Sequence, residues 1–130
     1  MIISFQIDLD TIEVSNLNRQ FYFRNEHVGQ SKALVAARIV MQQNPKLKII
    51  AHHKNVMDPQ FTLKYFSSFK AVILALDNED ARSYVNKVCM LTDRLVLEAG
   101  TSGFLGQVED LSNLGHDTQK KHNEMLRLLH

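Results

Sequence analysis

Three aspartates stand where an apolar run gives way to polar residues. Asp8 and Asp10 close the opening run, and Asp77 closes the run AVILAL at 71–76. In open α/β sheets, ligands bind outside the carboxyl ends of the strands, so carboxylates there are placed for ligand chemistry. Such a carboxylate can take both hydroxyls of a ribose. One beside phosphate oxygens can hold Mg²⁺ by oxygen ligation, the role open to Asp77. Aspartate also ends strands with no ligand at all, because it favours turns. Between the carboxylates lies SNLNRQF, 15–21. Asn16 and Arg19 are three apart, so one helical turn would put them on one face. The arginine fork offers paired donors to phosphate oxygens. Lys32 follows Gly29-Gln30-Ser31. At a helix amino end it would add a point charge to an anion site; on an open surface it would be an ordinary solvated lysine. Together Asp8, Asn16, Arg19, Lys32 and Asp77 outline a nucleoside triphosphate site.

A ribose-binding acid in dinucleotide folds lies about 20 residues after a glycine-rich phosphate loop. No glycine occurs before Gly29, so that loop is not found ahead of Asp8 in these residues. The spacing Gly100-x-x-Gly103-x-x-Gly106 is no substitute, since it does not follow a strand and open a helix. Cys89 falls on the apolar side of a periodic segment and reads as a core cysteine. The six histidines are scattered, and the adjacent His52 and His53 lack metal-ligand spacing.

The elements that must position these groups alternate between strand and helix. Ile2 to Leu9 reads as a strand. Ser31 to Asn44 reads as a helix, with Ala33, Ala36, Ala37, Val40 and Met41 on one face, Ser31 as cap and Pro45 past the end. Lys48 to His52 predicts a second strand. Asp58-Pro59 predicts a helix start, followed by an aromatic face of Phe61, Tyr65, Phe66 and Phe69. The unbroken run Ala71 to Leu76 predicts a strand buried on both faces, as in a parallel sheet. Glu79 to Leu91 predicts a helix with Ala81, Tyr84, Val85, Val88 and Cys89 inward. A short strand is expected at Leu95 to Leu97, after which Gly100, Gly103 and Gly106 punctuate a loop and a final strand near Phe104 to Val108. The pattern is that of an α/β fold, a partial doubly wound and mostly parallel sheet with right-handed crossovers. Residues 109–130 change character and read as a divergent tail with a short amphipathic helix at most.

Composition bounds the function. The 130 residues are 45% hydrophobic and 22% charged, as in a globular domain. Net charge is +1 from 15 basic and 14 acidic residues, which gives no basic surplus for nucleic acid and no bias towards a membrane surface. One cysteine excludes a disulfide framework and a multi-cysteine zinc site within these residues. No apolar run approaches a membrane span, and MIISFQIDLD is too short and acidic for a signal peptide. A soluble intracellular protein is the expectation.

The stretch DLDTIEVSNLNRQFYFR, 8–24, closely resembles the adenylation domain of the activating enzymes for ubiquitin-like modifiers. The resemblance continues in order through HVGQSKA, NPK, ALDNEDAR and EAGTSGFLGQV, covering about residues 5–108. HHKNVMDPQF and GTSGFLGQV favour the catalytic subunits of the SUMO-activating branch over the neddylation and ubiquitin branches. The resemblance implies a Rossmann-like, ThiF-type adenylation domain over 1–108, here without its first strand and glycine-rich loop. It implies ATP and Mg²⁺ as cofactors, a modifier whose carboxyl-terminal glycine is adenylated, and a partner subunit in a heterodimer. By resemblance Asp8 holds the ribose, Asn16 and Arg19 contact phosphates, Lys32 neutralises phosphate charge and Asp77 positions Mg²⁺. Asn55 and Val56 match positions near the adenine, and Asn78 to Arg82 continue the nucleotide-proximal stretch. Arg19, Lys32 and Asp77 are the expected catalytic set. The resemblance also implies a nuclear and cytoplasmic location. The zinc-ligand CxxC pairs, the catalytic-cysteine domain and the ubiquitin-like domain of the family do not occur in these residues, so the 130 residues alone are expected to be inactive. Two alternatives stand beside this reading. One is a non-catalytic module that pairs with the partner subunit or modifier. The other is the equivalent domain of a neddylation or ubiquitin activating enzyme.

Overall fold

The computed structural model describes residues 2–102 and 105–110. Among these residues five strands and three helices alternate: β1 Ile2–Ile7, α1 Lys32–Gln43, β2 Leu47–His52, α2 Leu63–Ser67, β3 Ala71–Leu74, α3 Glu79–Leu91, β4 Leu95–Ser102 and β5 Leu105–Asp110. This is the α/β alternation that the periodicity predicts. The chain divides into two compact units between Asp58 and Pro59.

In the first unit β1 and β2 pair in parallel, Ile2 opposite Leu47 through Ile7 opposite His52. A parallel pair needs a long crossover, and α1 lies within it. Ser31 caps α1 as expected, its Oγ accepting the Leu34 N–H at 3.4 Å. The buried positions of α1 are Ala33, Val35 and Ala37. Val35 was not on the predicted face; it packs with Ile12 and Phe23, so the loop between β1 and α1 draws an extra stripe of the helix inward. Two 3-10 turns, Val14–Asn16 and Asn25–His27, shape that loop.

In the second unit β3 and β4 pair in parallel and β5 returns antiparallel beside β4. Three expectations need correction here. Asp58-Pro59 does not start a helix: the Asp58 N–H closes a turn on the Asn55 carbonyl, and α2 begins at Leu63 with Thr62 as its cap. The strand in AVILAL stops at Leu74, and its faces are not both covered, since Ala71 and Ile73 are exposed while Leu74 is buried. Gly100 sits within β4 rather than in a loop, while Gly106 lies in β5, inside the strand expected near Phe104 to Val108. The aromatic cluster is as predicted, with Phe66 and Phe61 buried and Tyr65 edge-on to Phe66 and Phe69. Helix α3 has the predicted bounds, burying Ala81, Val85, Val88 and Cys89. It ends with the Arg94 N–H on the Cys89 carbonyl and the Asp93 N–H on that of Met90, a Schellman closure that forces Asp93 to φ +52°. The amphipathic segment expected in the tail lies outside the described residues.

Candidate functional site

The carboxyl ends of β1 and β2 lie beside a group of polar side chains that includes Asp8, Asp10 and Lys32. The Asp8 N–H continues the ladder onto the His52 carbonyl at 3.1 Å, which keeps Asp8 at the end of the sheet. Its carboxylate then turns the chain: Oδ1 accepts the Asp10 N–H at 2.8 Å. The next residues are tied to the entrance of α1. Thr11 forms an antiparallel bridge with Ser31, the Ile12 N–H reaches the Gln30 carbonyl, and the Lys32 N–H reaches the Asp10 carbonyl at 3.0 Å. Gly29 makes this return possible. Its φ of +83° is one that an L side chain resists, although a Cβ there would meet nothing.

This tie brings Asp10 and Lys32 together although they are 22 residues apart. Lys32 Nζ lies 2.8 Å from Asp10 Oδ2, with the lysine side chain largely enclosed and the aspartate more open. Asn16 is buried at 6% exposure, and its Oδ1 accepts the Glu13 N–H at 2.9 Å. Leu9, Asp10, Thr11, Glu13, Asn16 and Lys32 line an open recess of about 330 Å³. A mixed lining of carboxylates, an amide and one ammonium suits a polar, charged ligand.

The structure separates two residues that helical spacing puts on one face. Asn16 is inside, whereas Arg19 is exposed and not part of the recess lining. Its guanidinium folds back onto its own turn, donating to the Ser15 carbonyl at 2.6 Å and to Asn18 Oδ1 at 3.3 Å. Asn55 and Val56, half-buried, sit in the turn after β2, where Asn55 Oδ1 accepts the Met57 N–H. Nearby, His53 Nε2 lies 2.8 Å from the Leu9 carbonyl and ties that turn to the Asp8 loop.

Asp77, Asn78 and Arg82 belong to the second unit. Asp77 is exposed in the connection from β3 to α3. Asn78 caps α3 through the Ala81 N–H at 3.0 Å. Arg82 is ion-paired with Glu98, a buried residue at the end of the β3–β4 pairing. Among the described residues no three His, Cys, Asp or Glu side chains gather as a metal cage. Cys89 is fully buried, and burial pushes its thiol from 9.0 up to about 11, which fits a core residue and not a nucleophile. Burial likewise raises the Tyr65 phenol.

Sequence reasoning missed Asp10 and Glu98 as the partners of Lys32 and Arg82. A glutamate inside the apolar run LVLEAG was a visible signal, since a buried carboxylate needs a cation. Asp10 had no comparable signal.

Comparison with known proteins gives this arrangement a context. The chain is 50% identical over 102 residues to SUMO-activating enzyme subunit 2 of Dictyostelium discoideum, covering 78% of this chain and 15% of that one. It is 43% identical over 102 residues to SUMO-activating enzyme subunit uba-2 of Caenorhabditis elegans, covering 78% and 18%. It is 42% identical over 106 residues to the ubiquitin-activating enzyme E1-like protein of Saccharomyces cerevisiae, covering 81% and 16%. The chain thus spans less than a fifth of the length of these relatives. Among solved structures, the crystal structure of E. coli MccB with MccA-N7isoASN superposes with a TM-score of 0.68 at 22% identity, over 83% of this chain and 31% of that chain, a likeness of fold. The ThiF family profile matches residues 6–124, and on this frame of alternating strands and helices the chain belongs to the ThiF family.

Proposed function

We propose that this chain is the nucleotide-holding part of an ATP-dependent activating enzyme, one that adenylates the carboxyl-terminal glycine of a ubiquitin-like modifier, with SUMO the modifier. The observation that carries this reading is the recess beyond the end of β1, where Asp10, Asn16 and Lys32 converge in a ThiF-family chain, with Asp8 bonded to the backbone of Asp10 beside it. In the reaction a carboxylate oxygen of the glycine attacks the α-phosphorus. The bond from that phosphorus to the oxygen bridging to the β-phosphate breaks, and pyrophosphate leaves with the electron pair. The product is an acyl adenylate.

The difficulty is bringing an anion to an anion. Lys32 supplies fixed positive charge at the recess. Arg19, exposed one turn beyond Asn16, can release its backbone carbonyl and extend its fork towards phosphate oxygens. Asp8 offers carboxylate oxygens to the ribose hydroxyls. Asn55 and Val56 stand in the turn proposed to lie near the adenine, and Asn78 and Arg82 frame the segment after Asp77. Charge grows on the departing pyrophosphate, so cations already in place stabilise the transition state more than the bound substrate. Asp77 would hold Mg²⁺. Among the described residues no cluster of His, Cys, Asp or Glu joins Asp77, so the ion would be held by one carboxylate together with water and phosphate oxygens. When bound, Mg²⁺ supplies charge neutralisation to the phosphates.

The proposal includes a partner subunit in a heterodimer and a nuclear and cytoplasmic location. It also holds that these 130 residues alone are inactive, because no glycine loop that would cradle phosphates precedes Asp8 in them. The test is ATP–pyrophosphate exchange by the full chain, that is, these residues joined to an amino-terminal segment carrying the glycine loop, with its partner subunit. Exchange that requires a modifier ending in glycine supports the reading, and modifiers offered in parallel identify the one preferred. Nucleotide-independent binding to the modifier with no exchange refutes it in favour of a non-catalytic module.

A further inference from the structure

Lys32 is held at both ends by one residue. Its backbone N–H donates to the Asp10 carbonyl at 3.0 Å, and its side-chain Nζ meets Asp10 Oδ2 at 2.8 Å. Asp10 is held in turn, its own N–H donating to Asp8 Oδ1 at 2.8 Å. A continuous chain of bonds therefore runs from Asp8 through Asp10 to Lys32, and Asp10 and Lys32 both line the recess. The lysine side chain is 17% exposed and that of Asp10 57% exposed, so the enclosed group is the cation and the aspartate closes over it from the solvent side.

We propose that Asp10 is a positioning residue for the adenylation reaction: it clamps the Lys32 ammonium at the recess so that the charge is in place before the phosphates arrive. The inference rests on the adenylation reading above. An ammonium has three donors, and a clamp that uses one leaves two for an anion. Unclamped, the four-carbon stem samples many rotamers, and each must be given up when phosphate binds. Holding a charged group in its reacting geometry acts on turnover, because the contact strengthens as charge develops. Asp10 need not touch nucleotide for this; it acts through Lys32.

Two measurements on the full chain with its partner subunit decide the matter. In pyrophosphate exchange, Asp10→Ala is expected to lower kcat about tenfold with little rise in the KM for ATP. Asp10→Asn, which keeps an oxygen acceptor, is expected to recover most of that loss. In a Lys32→Ala background, Asp10→Ala is expected to cost nothing more, because the group it positions is gone. Losses that multiply instead, or an Asn variant as poor as the Ala variant, would overturn the clamp. The second measurement uses no nucleotide: acylation of Lys32 by an amine-directed ester, followed by peptide mass. Asp10→Ala is expected to speed labelling of Lys32 about threefold, in keeping with a partly exposed ion pair. Unchanged labelling would also overturn the clamp. Absence of exchange in the unmodified protein would sink the adenylation reading, while the labelling result would still show whether Asp10 holds Lys32.

Discussion

Asn16 does two jobs that one pair of substitutions can separate. Its Oδ1 accepts the Glu13 N–H at 2.9 Å, and its side chain lines the recess proposed to hold phosphates. Asn16→Ala removes the acceptor. Because Glu13 is exposed, water can partly replace the lost bond, so the cost is that of an ordinary cap, about 1 kcal/mol, and not a full desolvation penalty. Asn16→Asp is nearly the same shape and keeps the acceptor, so stability should stay within roughly 0.5 kcal/mol of the parent. It exchanges an amide for a negative charge, however. A charge within about 6 Å of a phosphate, at an effective dielectric near 20, adds roughly 3 kcal/mol of repulsion. That corresponds to on the order of a hundredfold weaker ATP binding. Urea unfolding followed by circular dichroism reads the first effect, and calorimetric titration of ATP into the full chain reads the second. If Asn16→Asp destabilises as much as Asn16→Ala, the hydrogen bond to Glu13 is not what the side chain contributes. If it binds ATP as tightly as the parent, phosphates do not occupy the recess.

Arg19→Ala should lower the turnover of pyrophosphate exchange on the order of a hundredfold while leaving the ATP KM nearly unchanged. Asp8→Ala should act mainly on KM, and a pure KM effect for Arg19→Ala would refute its assigned role. Asp93→Gly should stabilise the protein by about 1 kcal/mol in urea melts, since glycine adopts the left-handed conformation that Asp93 is forced into at φ +52°. Cys89 should resist thiol reagents in the native state at neutral pH. Its pKa is raised from 9.0 to about 11 on folding, so the unfolded chain ionises first. Its contribution to stability is therefore fully present below pH 9 and is lost as pH climbs through about 11; Cys89→Ser should flatten that part of a pH–stability curve.

What the sequence revealed depended on how local the signal was. Helix α3 was legible to the residue, because thirteen positions repeat one apolar face and Asn78 caps its start. Helix α1 was legible through Ser31, but the burial of Val35 was not, because it depends on Ile12 and Phe23 arriving from a distant loop. Asp58-Pro59 carried a valid helix-start signal that also fits a turn. Thr62 offered a second cap four residues on, and the burial of Phe61 and Phe66 fits a helix that starts at the later one. AVILAL reported apolar composition but not which face other elements cover. Asp8 at the end of β1 was legible because that boundary is local, whereas β3 stops at Leu74, three residues short of Asp77. The pairing of Asp10 with Lys32, and of Arg82 with Glu98, has no spacing rule and emerges only from the fold.

The bridge between Thr11 and Ser31 also bears on how quickly the first unit assembles. Ile2 must find Leu47, 45 positions away, before the parallel pair can form. The bridge closes a much shorter loop and brings the end of β1 against the start of α1. Once it exists, the chain still to be closed between Ile2 and Leu47 shrinks from 45 positions to 25, which spares about 0.5 kcal/mol of closure entropy. Gly29 therefore governs a kinetic shortcut as well as a turn. Replacing it with alanine should slow refolding in stopped-flow experiments more than it speeds unfolding, the signature of a contact already made at the folding barrier.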